Sequence, residues 1–350
     1  MTNIEIARQR MLNQHIAAQG FNKPAEIVQY MGAMQAQDYA GAKWAVGMRL
    51  KKISDAAIDK AMASGSIIRT HVLRPTWHFV TPADVRWMIE LTAPRINILA
   101  AGRHRQLKLD SKTLKLSNDI LGKALGGNKQ LTRLELQDVL NQAGINTGEE
   151  RFVHILMQAE LDKVICSGGR QGKQFTYALF DDRVLPGNNF THDEAVAELV
   201  KRYFMSRGPA TLHDFTWWSG LTVADAKNGL EASKDELESI NVDGLTYWQS
   251  RYQYGINGKA PIAHLLPAYD EFAVAYGDRT AIINPKYLIQ AKHVIFAPSI
   301  VVNNQVVGTW KRTIKKDGAE VILEPFGKLN KAQSTAVDAA VKRYQRFVKG

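Results

Sequence analysis

The chain has 350 residues, 45% of them hydrophobic and 23% charged, and its 45 lysines and arginines outnumber 34 aspartates and glutamates to leave a net charge of +11. That length predicts roughly two to four domains, and the composition is that of a globular protein rather than a disordered or fibrous one. No window approaches the roughly 20 apolar residues that span a bilayer, residues 1–10 lack the apolar core of a signal peptide, a lone Cys166 excludes an intramolecular disulfide and fits a reducing interior, and the positive balance favours a polyanionic partner, nucleic acid first.

Residues 4–18 read as a helix stopped by Gly20. Pro24 then sits in the first turn of a second helix, with Ile27, Met31 and Met34 at i, i+4 and i+7 forming an apolar stripe. Asp38 is the expected N-cap of a third helix carrying Ala42, Ala45 and Met48. Between them lies Met34-Gln35-Ala36-Gln37-Asp38-Tyr39. On a continuous helix residues at i and i+2 point apart, so Gln35 and Gln37 can serve one small site only where the helix ends or bends. The competing reading is two glutamines on a solvated turn. A short helix capped by Ser54 follows. Residues 67–80, rich in β-branched and aromatic types, predict two short strands, with Pro75 confined to an edge, a bulge or a turn. Helices followed by a hairpin are the pattern of a winged-helix unit. Arg69, His71 and Arg74 put cationic groups on that hairpin, to meet phosphate or to protect a solvated edge strand.

Thr81-Pro82-Ala83-Asp84 opens a further helix that Pro94 is expected to kink or divide, ending on Arg103-His104-Arg105. Thr132-Arg133-Leu134-Glu135 is a capping box, Gly144 a stop, and residues 152–161 the next helix. A hairpin over residues 164–179 follows, turning at 168–173. Its Gly-rich turn is one residue short of a phosphate loop and lacks the Ser/Thr after the lysine. Helix, helix, hairpin recurs from Asp193 through an expected helix-turn-helix at 210–222, and closes on a hairpin turning at Asp243-Gly244. Trp217 and Trp218 suit base stacking or, more commonly, a core. The last segment reads as strands at 294–296, 299–302, 306–313 and 319–323, with turns at Asn303-Asn304 and Asp317-Gly318, and a closing helix over 331–348. Lys311, Arg312, Lys315 and Lys316 make its second hairpin basic.

The expected fold is α+β: three tandem winged-helix units at 1–111, 112–190 and 191–259, then a β-rich, barrel-like domain at 260–350 with a terminal helix. Scattered histidines, a single cysteine and the lack of a nucleophile elbow or dinucleotide fingerprint point to no metal and no cofactor.

Four stretches, by order and spacing, give the chain a resemblance to the AlkZ family, tandem winged-helix DNA glycosylases that remove bulky alkylated purines and unhook interstrand crosslinks. They are Met34-Gln35-Ala36-Gln37-Asp38; Arg74-Pro75-Thr76-Trp77-His78-Phe79 with Asp84-Val85-Arg86-Trp87; Leu265-Leu266-Pro267-Ala268-Tyr269-Asp270; and Val306-Val307-Gly308-Thr309-Trp310-Lys311. Pro75 stands where many relatives have glycine. The resemblance implies that Gln35 and Gln37 are catalytic, and a glutamine at the second position is that of the crosslink-acting branch rather than the branch with aspartate. It implies a monofunctional, monomeric enzyme acting on double-stranded DNA that carries cationic N7- or N3-alkylpurines, and a cytoplasmic, nucleoid-associated place of work. DNA contact is expected from Arg69, His71, Arg74, Lys311 and Arg312. The alternative is a non-catalytic winged-helix DNA-binding protein or transcriptional regulator.

Overall fold

The structure, a computed structural model, describes residues 1–52, 54–187, 189–252, 262–315 and 318–350. In chain order it begins with helices α1 (Asn3–Asn13) and α2 (Pro24–Met31), strand β1 (Met34–Gln35), α3 (Tyr39–Gly47) and α4 (Asp55–Ala63). The hairpin β2 (Ile68–Val72) and β3 (Thr76–Val80) leads into the long α5 (Pro82–Gln106). Next come α6 (Ser111–Leu125), β4 (Leu131–Thr132), α7 (Arg133–Gln142), α8 (Arg151–Leu161), β5 (Ile165–Gln171), β6 (Gln174–Leu179) and the short α9 (Phe180–Arg183). They are followed by α10 (His192–Arg207), β7 (Ala210–Thr211), α11 (Leu212–Ser219), α12 (Val223–Ala232), β8 (Leu237–Val242) and β9 (Leu245–Ser250). The last stretch holds β10 (Ala263–Leu266), α13 (Glu271–Val274), two single 3-10 turns, α14 (Leu288–His293), β11 (Ser299–Val302), β12 (Gln305–Lys315), β13 (Gly318–Pro325) and α15 (Lys331–Lys349). Among the described residues no helix is long and apolar enough to cross a membrane.

The chain divides into two compact units, residues 1–58 with 196–350, and residues 59–195. In the second, β4, β6 and β5 form an antiparallel sheet in that order. Leu121, Leu125, Leu136, Leu140, Ile155 and Ile165 close a core beside it. The order helix, short strand, two helices, two strands holds for α6 through β6. It returns in the first unit from α10 to β9, with β7, β9 and β8 adjacent in that order. The first unit also holds an open sheet of four antiparallel strands, β10-β11-β12-β13. An open sheet replaces the expected barrel-like arrangement: among the described residues β10 and β13 are its edges. α15 packs on it and on α3 with Val337, Ala340, Tyr344 and Phe347 buried along one helical face: the Tyr344 ring meets Trp310 and Trp44 at 4.9 and 5.2 Å, and Phe347 meets Trp44 at 5.1 Å.

Several local expectations need correction. Pro94 does not divide α5, which runs unbroken for 25 residues. The lost N–H and the crowding of the ring against the preceding turn, about 3 kcal/mol, are offset by the burial of Leu91, Thr92, Ala93 and Ile96 around it. Residues 294–296 form a turn rather than a strand, where the Phe296 carbonyl accepts the Tyr269 N–H at 3.0 Å. Gly168 and Gly169 make a bulge inside β5, so the hairpin turns later, at Gly172. The helix expected from Asp193, with that residue as its cap, starts one residue earlier at His192 and is capped by Thr191, which exchanges hydrogen bonds with Glu194. Helix α1 stops at Asn13. The turn at Asp317-Gly318 and the side chain of Lys316 lie outside the described residues.

Candidate active site

The corner that carries the two glutamines is shaped by its backbone. α2 ends on Gly32, whose φ of 73° turns the chain where a side chain would be strained. β1 follows, and Asp38 starts α3 by accepting the Gly41 N–H on Oδ1 at 3.2 Å. The expected cap is therefore present, and the glutamines lie between helices. Burial alternates along this stretch: Met34 and Ala36 are inside, Gln35 is half-buried and Gln37 exposed. Gln35 ends β1 and Gln37 lies in the bend before α3, so the continuous helix on which the i, i+2 spacing would separate the amides is absent here. Gln35 Oε1 is buried and accepts no hydrogen bond from the described residues.

Two neighbouring carboxylates, Asp270 and Glu271, hold both sides of this corner. The Gln35 backbone N–H donates to Glu271 Oε1 at 2.8 Å. Asp270 takes a bidentate pair from Arg49 at 2.8 and 2.9 Å, and Arg49 also donates to the carbonyls of Gln14 and Ala45. Asp270 thereby ties down α3 behind the corner while Glu271 ties down the strand in front of it. The stretch before Asp270 is itself fixed by two indoles: Trp44 Nε1 donates to the Leu265 carbonyl and Trp310 Nε1 to that of Leu266, both at 2.7 Å. Gly308 is required next to Trp310, because a Cβ there would stand 2.6 Å from Pro325 Cα. Asp38 receives Arg312 Nη2 on Oδ2 at 2.7 Å, so its charge is already matched.

The five cations singled out in the sequence have different surroundings. Arg69 is buried, its guanidinium 4.0 Å from the Trp77 ring centre and 4.7 Å from that of Phe175. His71 is buried too, its Nδ1 2.5 Å from Glu160 Oε2, and the same carboxylate oxygen accepts the His71 backbone N–H at 3.1 Å. With Ser167 Oγ taking the Arg69 N–H at 2.8 Å, the outer edge of β2 is covered rather than solvated. Arg74 is half-buried at the hairpin turn. Arg312 is largely buried against Asp38, whereas Lys311, 68% exposed, reaches Glu324 at 2.6 Å.

Trp218 is buried and Trp217 half-exposed, with its Nε1 donating to the Val274 carbonyl. Burial pushes the Cys166 thiol up to about 12, which leaves it without nucleophilic character at neutral pH. Glu271, Arg49 and Glu160 were not read as part of any site. The one hint available was an Asp-Glu pair directly after an apolar run, where carboxylates are out of place unless paired.

A family model described as DNA glycosylase AlkZ-like matches residues 28–347. The interstrand DNA cross-link repair glycosylase of Streptomyces sahachiroi is 21% identical over 353 residues, covering 94% of this chain and 92% of the relative. The solved structure of the Streptomyces sahachiroi DNA glycosylase AlkZ superposes with a TM-score of 0.79 at 20% identity, covering 100% of this chain and 98% of that one, so the fold is shared.

Proposed function

The chain belongs to the AlkZ-like DNA glycosylase family, and on that footing we propose that it hydrolyses the N-glycosidic bond of cationic N7- or N3-alkylpurines, including those within interstrand crosslinks, with water as the nucleophile. Membership of a glycosylase family sets aside the alternative of a non-catalytic regulator. The observation that carries the reading is the unspent acceptor at Gln35 Oε1, two residues from the exposed Gln37 in the corner between α2 and α3.

An amide is no general base near neutral pH; it orients by hydrogen bonds. Two amide oxygens can accept from one water and hold its lone pair toward C1′. The water oxygen bonds to C1′ as the C1′–N bond breaks, the bonding pair neutralises the departing cationic base, and the surplus proton goes to solvent. An alkylated purine is already charged and leaves without further protonation, so this modest machinery suffices. Asp38, held by Gly41 and Arg312, serves the architecture as a helix cap. No lysine attacks the sugar, so no Schiff base forms.

The repeated order of helix, short strand, two helices and two strands supports three winged-helix units, the first from α2 to β3. In this reading the hairpins at β2–β3 and β12–β13 meet DNA phosphates. Arg74 and Lys311 make direct contact, while Arg69, His71 and Arg312 stiffen the elements that carry them.

The test is single-turnover base release from a duplex holding one N7-methylguanine. Gln35→Ala and Gln37→Ala are each expected to slow release about 100-fold, the scale of a lost orienting contact. Borohydride should trap no enzyme–DNA adduct. Wild-type release from both variants, or a trapped adduct, would overturn the reading.

A further inference from the structure

Glu271 reaches the catalytic segment from one side, and on its other side it meets Arg207. Arg207 Nε and Nη2 donate to Glu271 Oε2 at 3.0 and 2.7 Å, and Trp218 Nε1 donates to the same oxygen at 3.1 Å. The remaining guanidinium N–H groups donate to the carbonyl of Met31 at 2.7 Å, to that of Ala33 at 2.6 Å and to Ser206 Oγ at 2.8 Å. All five donors of Arg207 are thus engaged. Both side chains are within the core, 0% and 2% exposed. Further back, the Arg207 carbonyl accepts the Tyr276 hydroxyl at 2.8 Å, whose oxygen in turn accepts Gln14 Nε2 at 2.9 Å.

The pair therefore grips alternate residues of one segment: two carbonyls, of Met31 and Ala33, and one N–H, of Gln35. Met31 closes α2 and Gly32 turns the chain, so these three groups stand on either side of the bend that leads into β1. They lie in the few residues between the end of α2 and the amides. A buried ion pair is a poor source of stability, because desolvating both charges offsets their attraction, and apolar residues of similar volume often replace one without loss. What such a pair does supply is position: its geometry tolerates one arrangement of the groups it binds.

We propose that Arg207 and Glu271 are a positioning pair for the glycosylase reaction, fixing the backbone at Met31, Ala33 and Gln35 so that the two amides hold the attacking water in line with C1′. This rests on Gln35 and Gln37 being the water-orienting groups. Neither Arg207 nor Glu271 touches the substrate.

Two charge-neutral variants test it. Arg207→Met/Glu271→Leu removes every hydrogen bond the pair makes to the segment, whereas Arg207→Met/Glu271→Gln keeps an acceptor for the Gln35 N–H. Amide hydrogen exchange at Gln35 reports the grip without reference to activity, and the single-turnover rate at saturating enzyme reports the chemistry. In the leucine variant Gln35 exchange is expected to accelerate at least about 100-fold, with the amides of the β11–β12 ladder unchanged. Base release should slow about 100-fold, as for a misplacement of roughly 1 Å, with Kd for the same duplex within about twofold. The glutamine variant should recover about tenfold in both readouts. A cooperatively melting leucine variant with wild-type release overturns the proposal, as does undiminished protection of Gln35. If that variant does not fold, the glutamine variant decides alone: slowed release at unchanged Kd supports the pair, and wild-type release refutes it. Wild-type protein that releases no base would refute the glycosylase reading and the catalytic role of the pair together. The exchange rates then still tell whether the pair grips the segment.

Discussion

Two hairpins in this molecule look alike in sequence and are built in opposite ways. Both carry cations among β-branched and aromatic residues. In β2–β3 the cations point inward: every residue of β2 is buried, Arg69 is enclosed by Trp77 and Phe175, and His71 is bonded to Glu160. In β12–β13 they point outward: Lys311 and Lys315, 68% and 62% exposed, pair with Glu324 and Glu320. Both glutamates stand diagonally across the ladder, since Lys311 lies opposite Ile322 and Lys315 opposite Gly318. Alternation tells which side chains share a face of a strand. It does not tell whether another element covers that face. α8, β5 and β6 cover the first hairpin with Glu160, Ser167 and Phe175, so a cation there is part of the interior.

The strongest way to break this contrast is Glu160→Ala. It would leave the His71 ring and backbone N–H without their buried acceptor, at a cost of about 3 kcal/mol. Urea unfolding measures this, and a loss below about 1 kcal/mol would mean that water reaches the site and that the two hairpins are not so different. A somewhat smaller effect is expected at His264, on β10, the edge strand of the sheet that holds the second hairpin. Burial first, then Arg343 and Arg49, push its imidazole down from 6.5 to about 3. A depressed histidine stays neutral when folded but takes a proton when unfolded, so its stability is whole above about pH 6.5 and is lost as the pH falls toward 3. Between pH 7 and pH 5 the loss is about 2 kcal/mol. His264→Gln should flatten this part of the profile, and an unchanged pH slope would show that the ring is solvated.

What could be read from the sequence follows from the range of the interactions. The Asp38 cap, the Thr132–Glu135 box and the turns at Asp243-Gly244 and Asn303-Asn304 are made by residues a few positions apart, and each is present. The stretches that carried the family resemblance were visible, but not their purpose. Trp310 and Gly308 support the chain before Asp270, and Asp270 supports α3 through Arg49. Arg207 meets Ala33 and Glu271 across 174 and 64 positions, at the end of an amphipathic helix where an arginine normally marks a solvated terminus. No local pattern reveals a buried arginine. The cations of β2 misled for the same reason: burial is decided by elements far along the chain.

Arg312 sits between the two extremes and sharpens the contrast. It belongs to the exposed hairpin but turns back to Asp38, next to Gln37, with only 15% of its side chain exposed. Arg312→Ala should cost about 1 kcal/mol, more than an exposed pair and less than a fully buried one. It should also slow base release, because the cap that starts α3 loses its partner. Loss of DNA affinity at an unchanged release rate would instead make it a phosphate ligand.

The smallest stability change is expected at Lys311, where the contrast bears on DNA binding. Its partner Glu324 is solvated, and surface pairs of this kind contribute little. Lys311→Ala should therefore leave the melting temperature within about a degree. If Lys311 reaches a phosphate, the substitution releases one counterion fewer on binding, and the slope of log Kobs against log salt should fall by about 0.9. Arg69→Met is the matched opposite: it keeps apolar packing between Trp77 and Phe175 and removes a charge that solvent does not see. Its salt slope should equal that of the wild type. If Arg69→Met lowers the slope and Lys311→Ala does not, the inward hairpin must open on DNA and the outward one must stand clear of it.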